Sequence, residues 1–534
     1  MTGGKKRNQI LRFHLPSGIL VLYTLLAGLP LLLLSVQAFT AVAGGETEWR
    51  TLVFPQGRRL ALLLQTLGFA FSVAIPGTLI GFAGAATLRF TRSRRIRHLS
   101  AFLIPSAAIP PHIHAMAWSV LVFWINGLLK RSGLPPLQDQ GFIISVWVQM
   151  MALLPFAFGI MLLTLSGISN DLLEASRVTA PDRRTILRIL FPIALPGLST
   201  SFSFLFLVSL LDYSVPSLFQ LNLYTLGIFS EYSIRYDASH AFLMSVPLLF
   251  LSLPAAWLLQ RSLRRLPLIP SGSGREARWP LRLPFWMHGL SCLSVLLLLL
   301  QLLVPLAVLA VQSLPALSSM DWLTDSLPNM GISLLIGVGT AFLTLPFAHA
   351  AALSIDSRRH NRHAWWWLVM LPLALPAPLI GIALIHTWNA GAFSWTSLYN
   401  TLFMPILACT LRFLPFAVFL LLSFLKRVDR NLIGAALILQ KNSLHTLFRI
   451  FLPMLSGAYL GAGLLVAVLA IGELGATLLL TPPGAGTLTL KIYNYLHYGS
   501  SEAVSGLCLL LYLIALGIGL FLQKTATSNN RRPA

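Results

Sequence analysis

The chain has 534 residues, of which 56% are hydrophobic and only 10% charged, and its mean hydropathy is +0.77. The core of a soluble protein cannot hide that much apolar surface, so lipid must be the solvent for most of the chain. The net charge of +22 does not signal nucleic acid, because the basic residues lie in short loops between apolar runs and never build a face able to neutralise many phosphates.

At the N-terminus a basic start (Lys5, Lys6, Arg7, Arg12) leads into an apolar run at 17–39 and then Ala41-Val42-Ala43. That run exceeds the ~7–15 residues of a signal-peptide core, so it reads as a retained first helix. Runs near the ~20 residues needed to cross a bilayer recur to the end of the chain. They predict helices at 16–40, 60–88, 99–127, 141–168, 191–212, 239–260, 287–312, 331–355, 365–388, 399–425, 454–479 and 502–523. Cys292, Cys409 and Cys508 fall inside separate apolar runs, a spacing that suits neither a disulfide framework nor a zinc site.

Twelve spans put both termini on one side, and the basic residues select it. The loops on the side of the termini carry 30 Lys and Arg, and the opposite loops carry 7. The bias predicts cytoplasmic termini.

Two stretches of the chain resemble each other. Ile104-Pro105 and Pro111 match Leu371-Pro372 and Pro378, displaced by 267; Leu154-Pro155-Phe156-Ala157 matches Leu414-Pro415-Phe416-Ala417, displaced by 260; Pro192 matches Pro453, displaced by 261. These offsets divide the chain into a six-helix half at 1–265, a linker at 266–286 and a second six-helix half at 287–534. The linker contains Ser271-Gly272-Ser273-Gly274-Arg275, a flexible and basic composition. Six spans per half make the repeats parallel, which suits an all-α membrane bundle enclosing one pathway on a pseudo-twofold axis.

The loop at 169–192 contains Asp171, a candidate helix cap, with Glu174 at the third position after it. Leu172, Leu173 and Val178 can form an apolar face while Arg177 and Asp182 stay hydrated. Pro181 should end the short helix, and Pro192 suits the first turn of the next one.

Fused binding-protein-dependent permeases carry a cytoplasmic loop that begins Glu-Ala-Ala, has a Gly four residues after the second Ala, and ends near Leu-Pro. This chain resembles them at Glu174-Ala175-Ser176, Ala180 and Phe191-Pro192, and again at Gly434-Ala435-Ala436, Gln440 and Leu452-Pro453 within the loop 429–453. Both copies depart from the pattern, the second further because it lacks the Glu. Asp212-Tyr213-Ser214-Val215-Pro216, Arg412-Phe413-Leu414-Pro415, Gly472-Glu473-Leu474-Gly475-Ala476-Thr477, Pro482-Pro483-Gly484 and Ile492-Tyr493 look most like the iron(III)-type permeases, with the thiamine type close by.

The resemblance implies the translocation subunit of an ATP-driven importer, with each loop a coupling helix seated on one of two ATP-binding-cassette subunits and a solute-binding protein outside. It implies that this chain binds no cofactor and that ATP and Mg belong to the partners. The sequence agrees in having no Gly-rich phosphate loop followed by Lys-Ser or Lys-Thr. The cargo it implies is ferric iron, with thiamine or another small solute as the alternative.

Asp212 and Glu473 close spans five and eleven, displaced by 261. Carboxylates at that depth usually face a cavity, where they could attract a cation, or bond backbone groups at a broken helix. Arg412 lies within span ten, needs a carboxylate or carbonyl neighbour, and has Ala152 at its matched position. His112 and His114, two apart, make a poor metal pair, and His360 and His363 lie in a basic loop. Tyr224, Tyr232, Tyr236, Tyr493, Tyr495 and Tyr498 fill two long outer loops, as aromatic residues do at interfaces. A twelve-helix carrier driven by an ion gradient is the rival class, but it leaves the repeated loops unexplained. A membrane enzyme would need a cluster of nucleophile, base and acid, which the sequence does not offer.

Overall fold

A computed structural model describes residues 14–45, 49–90, 102–179, 181–266, 285–318, 321–356, 362–389, 396–426, 428, 447–497 and 502–529. Among them the secondary structure is helical throughout, as the backbone needs in lipid, where only helices satisfy their own hydrogen bonds within one segment. The main helices are α1 His14–Ala43, α2 Gly57–Phe90, α3 Pro111–Arg131, α4 Phe142–Ser166, α5 Phe191–Leu211, α6 Ala238–Leu263, α7 Phe285–Ser313, α8 Leu327–Asp356, α9 Ala377–Asn389, α10 Phe403–Leu425, α11 Ser456–Ile471 and α12 Glu502–Asn529. Among the described residues ten segments are long and apolar enough to cross a membrane, and α9 and α11 bring the number to twelve only when each is joined to the bent segment before it. Large apolar side chains such as Phe123, Phe250 and Phe342 point outward from the bundle, where lipid receives them.

Three expected spans are broken instead of continuous. Pro105–Ala108 is a 3-10 turn, and α3 starts only at Pro111. Leu371–Ala374 repeats that turn, and the segment His363–Ala374 meets α9 at 102°. The prolines at 105, 110, 111, 372, 376 and 378 remove donors and fix φ, so a straight helix cannot run through either place. Phe448–Met454 meets α11 at 68°, and α11 stops at Ile471, short of the expected 479.

Packing follows the sequence repeat. α2 lies against α4 and α5, and α8 lies against α10 and α11 in the same relation. The first helix of each expected half crosses to the other. α1 packs on α8 and α9, with Tyr23 and Phe347 ring centroids 5.6 Å apart. α7 packs on α2 and α3, where Ser294 Oγ donates to the Ile80 carbonyl at 2.6 Å and Gln301 Nε2 to Ser106 Oγ at 2.8 Å. Gly84 lets α7 come close, since a Cβ there would sit 2.5 Å from Ser294 Oγ. At the α6 end Arg264 donates to His363 Nδ1 at 2.5 Å, so His363 is engaged and not merely hydrated. His360 and the linker from 267 to 284 lie outside the described residues.

The long loops at 213–238 and 480–501 are partly helical. Tyr224–Arg235 and Leu488–His497 form helices within them. Tyr224 and Tyr232 are buried there, and the Tyr224 hydroxyl donates to the Met244 carbonyl at 2.9 Å. Their role is packing; among the described tyrosines of these loops Tyr236 and Tyr495 are exposed, and Tyr498 lies outside the described residues.

Candidate translocation cavity and coupling helix

The breaks before α3, before α9, after α5 and after α11 meet at one cavity of about 150 Å³. Its walls come from matched positions: Ala152 and Arg412, Leu153 and Phe413, Phe156 and Phe416, Val208 and Leu469, Asp212 and Glu473, Tyr213 and Leu474, Ser214 and Gly475. A cavity lined pairwise by repeated positions sits where a pseudo-twofold axis would run. Asp212, Arg412 and Glu473, singled out separately from the sequence, are brought together here.

Local folding explains why the two acids tolerate this depth. α5 ends at Leu211 and a short helix restarts at Ser214; Asp212 Oδ1 accepts from the Ser214 N–H at 3.1 Å and its hydroxyl at 2.7 Å, and Oδ2 from the Val215 N–H at 3.4 Å. Glu473 does the same two residues past the end of its helix, with Oε1 accepting from the Ala476 N–H at 3.0 Å ahead of the short helix Thr477–Leu480. Each carboxylate caps backbone donors that a broken helix would otherwise leave bare. The two sequence readings of these acids therefore hold together: they bond backbone at a break, and they line the cavity.

Arg412 forms an ion pair with Glu473. Glu473 is 6% exposed and the Arg412 side chain 23%, so the pair is largely removed from water. Gly475 packs beside it, where a Cβ would lie 2.5 Å from Ala377 Cβ. The Tyr493 hydroxyl, in the helix Leu488–His497, lies 3.4 Å from Ser217 Oγ. Burial pushes that phenol above its ordinary pKa, against the lowering effect of the Ser217 hydrogen bond.

His112 is a cavity residue that the sequence reading set aside. It stands in the first turn of α3, 2% exposed, with Nε2 lacking a hydrogen-bond partner. His114 is buried nearby with neither ring nitrogen partnered. Among the described residues no three His, Cys, Asp or Glu are grouped to hold a metal ion. The aromatic lining was visible in advance without being recognised: the repeated Leu-Pro-Phe-Ala supplies Phe156 and Phe416.

On the opposite face, the short helix of the first loop runs Asn170–Thr179. Its cap corrects the sequence reading. Ser169 Oγ accepts the Leu172 N–H at 3.3 Å, so Ser169 is the N-cap and Asp171 lies inside the first turn. Asn170 is anchored to the end of α2 by a hydrogen bond from Arg89 at 2.7 Å. Ser176 is buried, Glu174 half-buried, and Ala175, Leu172 and Val178 exposed. Ala180, Gly434, Ala435, Ala436 and Gln440 lie outside the described residues.

Both loops return to the bundle through a π-helical turn, Ile186–Leu190 and Leu447–Phe451. A repeated Thr-x-x-Arg-Ile at 185–189 and 446–450 was the signal for it. Such turns widen a helix locally and favour functional positions.

Residues 345–528 match the family model described as the binding-protein-dependent transport system inner membrane component. The chain is 24% identical over 518 residues to the ferric transport system permease protein FbpB of Actinobacillus pleuropneumoniae, covering 89% of this chain and 73% of that protein. It is 24% identical over 528 residues to the Fe(3+)-transport system permease protein FbpB 2 of Haemophilus influenzae, covering 95% and 97%. A shorter relative, the putative 2-aminoethylphosphonate transport system permease protein PhnV of Salmonella typhimurium, is 26% identical over 195 residues, covering 36% of this chain and 72% of its own length.

Proposed function

This chain is a multi-pass permease of the binding-protein-dependent transport family, and on that premise we propose that it carries ferric iron from an external binding protein into the cytoplasm. The observation that supports this reading is the cavity between matched helix breaks, lined by Asp212 and Glu473. Carboxylate oxygens are the hard ligands a trivalent iron ion prefers. Two relatives that cover 89% and 95% of this chain are named for ferric iron, which favours that cargo over thiamine.

In this reading residues 1–265 and 287–534 are two sibling halves in the inner membrane with both termini in the cytoplasm. Two ATP-hydrolysing subunits, which bring the ATP and Mg, receive the loops 169–192 and 429–453, one each. Closure of those subunits rocks the halves and moves the cavity from outward to inward access. Exposed Leu172, Ala175 and Val178 on the helix Asn170–Thr179 supply an apolar docking face, and its Ser169 cap and the Arg89–Asn170 bond keep the helix rigid enough to transmit force.

Uptake of radiolabelled ferric iron by cells with and without the gene tests the cargo. Loss of iron uptake on deletion, restored by the intact chain, is the expected result. Unchanged iron uptake together with lost thiamine or 2-aminoethylphosphonate uptake rejects it. Reporter fusions at residues 1 and 534 should both read cytoplasmic.

A further inference from the structure

The cavity is symmetric in its apolar lining and asymmetric in its charge. Phe156 is matched by Phe416 and Leu153 by Phe413, but Ala152 stands where the second half has Arg412. The lining thus holds two carboxylates and one guanidinium, and the guanidinium is paired with Glu473. The same Glu473 oxygen also accepts from the Ala476 N–H at 3.0 Å, so the pair and the helix break hang on one atom. On the same wall, buried His112 keeps Nε2 without a partner.

We propose that Arg412 is a tethered placeholder cation: it neutralises Glu473 while the cavity is empty and surrenders that carboxylate to a multivalent cationic solute. This rests on the reading of the chain as a ferric iron importer. A monovalent ion has no advantage over a guanidinium already held at short range in a poorly hydrated site, whereas a multivalent hard cation gains several-fold more from the same oxygen. Ion selectivity thus needs no dedicated metal cage, in keeping with the absence of a three-ligand cluster among the described residues. Displacement also pulls on the oxygen that caps Ala476, so arrival of cargo loosens the break after α11.

The test is a terbium(III) titration of the purified full-length chain in detergent, read by terbium emission sensitised by the chain's aromatic side chains. R412M should bind terbium about tenfold more tightly than wild type. The double variant R412M/E473Q should lose that gain, and R412K should stay close to wild type. An R412M titration matching wild type, or a gain that survives E473Q, overturns the proposal. Should R412M not fold, E473Q alone decides: terbium binding must fall about tenfold, and unchanged binding overturns it. A gain of phosphonate uptake in E473Q cells would also overturn it, by making Arg412 an anion receptor. Failed iron uptake in wild-type cells with the terbium pattern intact rejects only the cargo reading; the converse rejects only the placeholder.

Discussion

The Tyr213 hydroxyl donates to the Gly475 carbonyl at 3.5 Å, joining the two helix breaks across 262 positions of sequence. Both residues follow a capping carboxylate, Asp212 and Glu473, so the contact ties one break to the other at the cavity. Gly475 allows it because hydrogen replaces a Cβ that would sit 2.5 Å from Ala377 Cβ and 3.2 Å from both the Arg412 guanidinium and Glu473 Oε1. Gly475→Ala should therefore push the breaks apart, costing ~1–3 kcal/mol as overpacking does, and should lower solute uptake about tenfold or more. Gly461→Ala, whose Cβ would meet its nearest neighbour at 3.6 Å, is the matched control and should transport normally. Equal uptake by the two variants would remove the geometric role of Gly475.

The Arg412–Glu473 pair makes a second, thermodynamic prediction. Truncating one member of a buried pair leaves an uncompensated charge and costs ~3–5 kcal/mol, while replacing both with neutral groups of similar volume is near neutral. Because the Arg412 side chain remains 23% exposed, Arg412→Ala should fall at the low end, ~3 kcal/mol. The Arg412→Met, Glu473→Gln double variant should recover most of that loss. Thermal unfolding of the solubilised protein, compared across the two, decides whether charge or shape dominates here.

Exchange of the first helices predicts how the chain can be divided. α1 buries Tyr23 against α8 and α9, and α7 buries Ser294 and Leu298 against α2. Each half thus lacks one wall without the other. Fragments 1–265 and 287–534, produced together, should co-purify and restore uptake, whereas either alone should be degraded. Gly84→Leu, which drives a side chain into Ser294 and Leu298, should weaken recovery of the pair. Stable, separately purified halves would contradict this.

Much of this architecture was legible in residue order. Span positions followed from apolar run length, because lipid demands a minimum helix, and the offsets of 260, 261 and 267 foreshadowed the equivalent packing of α2 and α8. The breaks were less legible. Leu371-Pro372 marked one, but a proline can kink a helix or end it, and only neighbouring packing decides which. The sequence offers Arg412 two carboxylates, Asp212 and Glu473, and cannot choose between them, since the pair that forms closes 61 residues of separation. His112 was set aside as one of a poor metal pair, though its place beside Pro110-Pro111 at the mouth of α3 carried the signal. The cap moved from Asp171 to Ser169 because helix ends depend on which hydroxyl or carboxylate reaches the N–H three residues on, and both spacings were present.

The proposed coupling helix, Asn170–Thr179, allows docking to be tested apart from folding. Val178 is 87% exposed, so Val178→Asp should change stability by only ~0.5 kcal/mol or less. If this face seats an ATP-hydrolysing subunit, a buried carboxylate in the joint would cost far more than that, and the subunit should no longer co-purify. Ser169→Ala acts differently. It removes the cap, costs ~1 kcal/mol of local helix stability, and should leave the subunit bound while loosening the link between hydrolysis and uptake. Asp171→Asn retains the Ser169 cap and should be milder than Ser169→Ala. Co-purification, ATP hydrolysis and uptake measured on the three variants distinguish the roles. A Val178→Asp chain that still co-purifies and transports would show that force enters the bundle elsewhere.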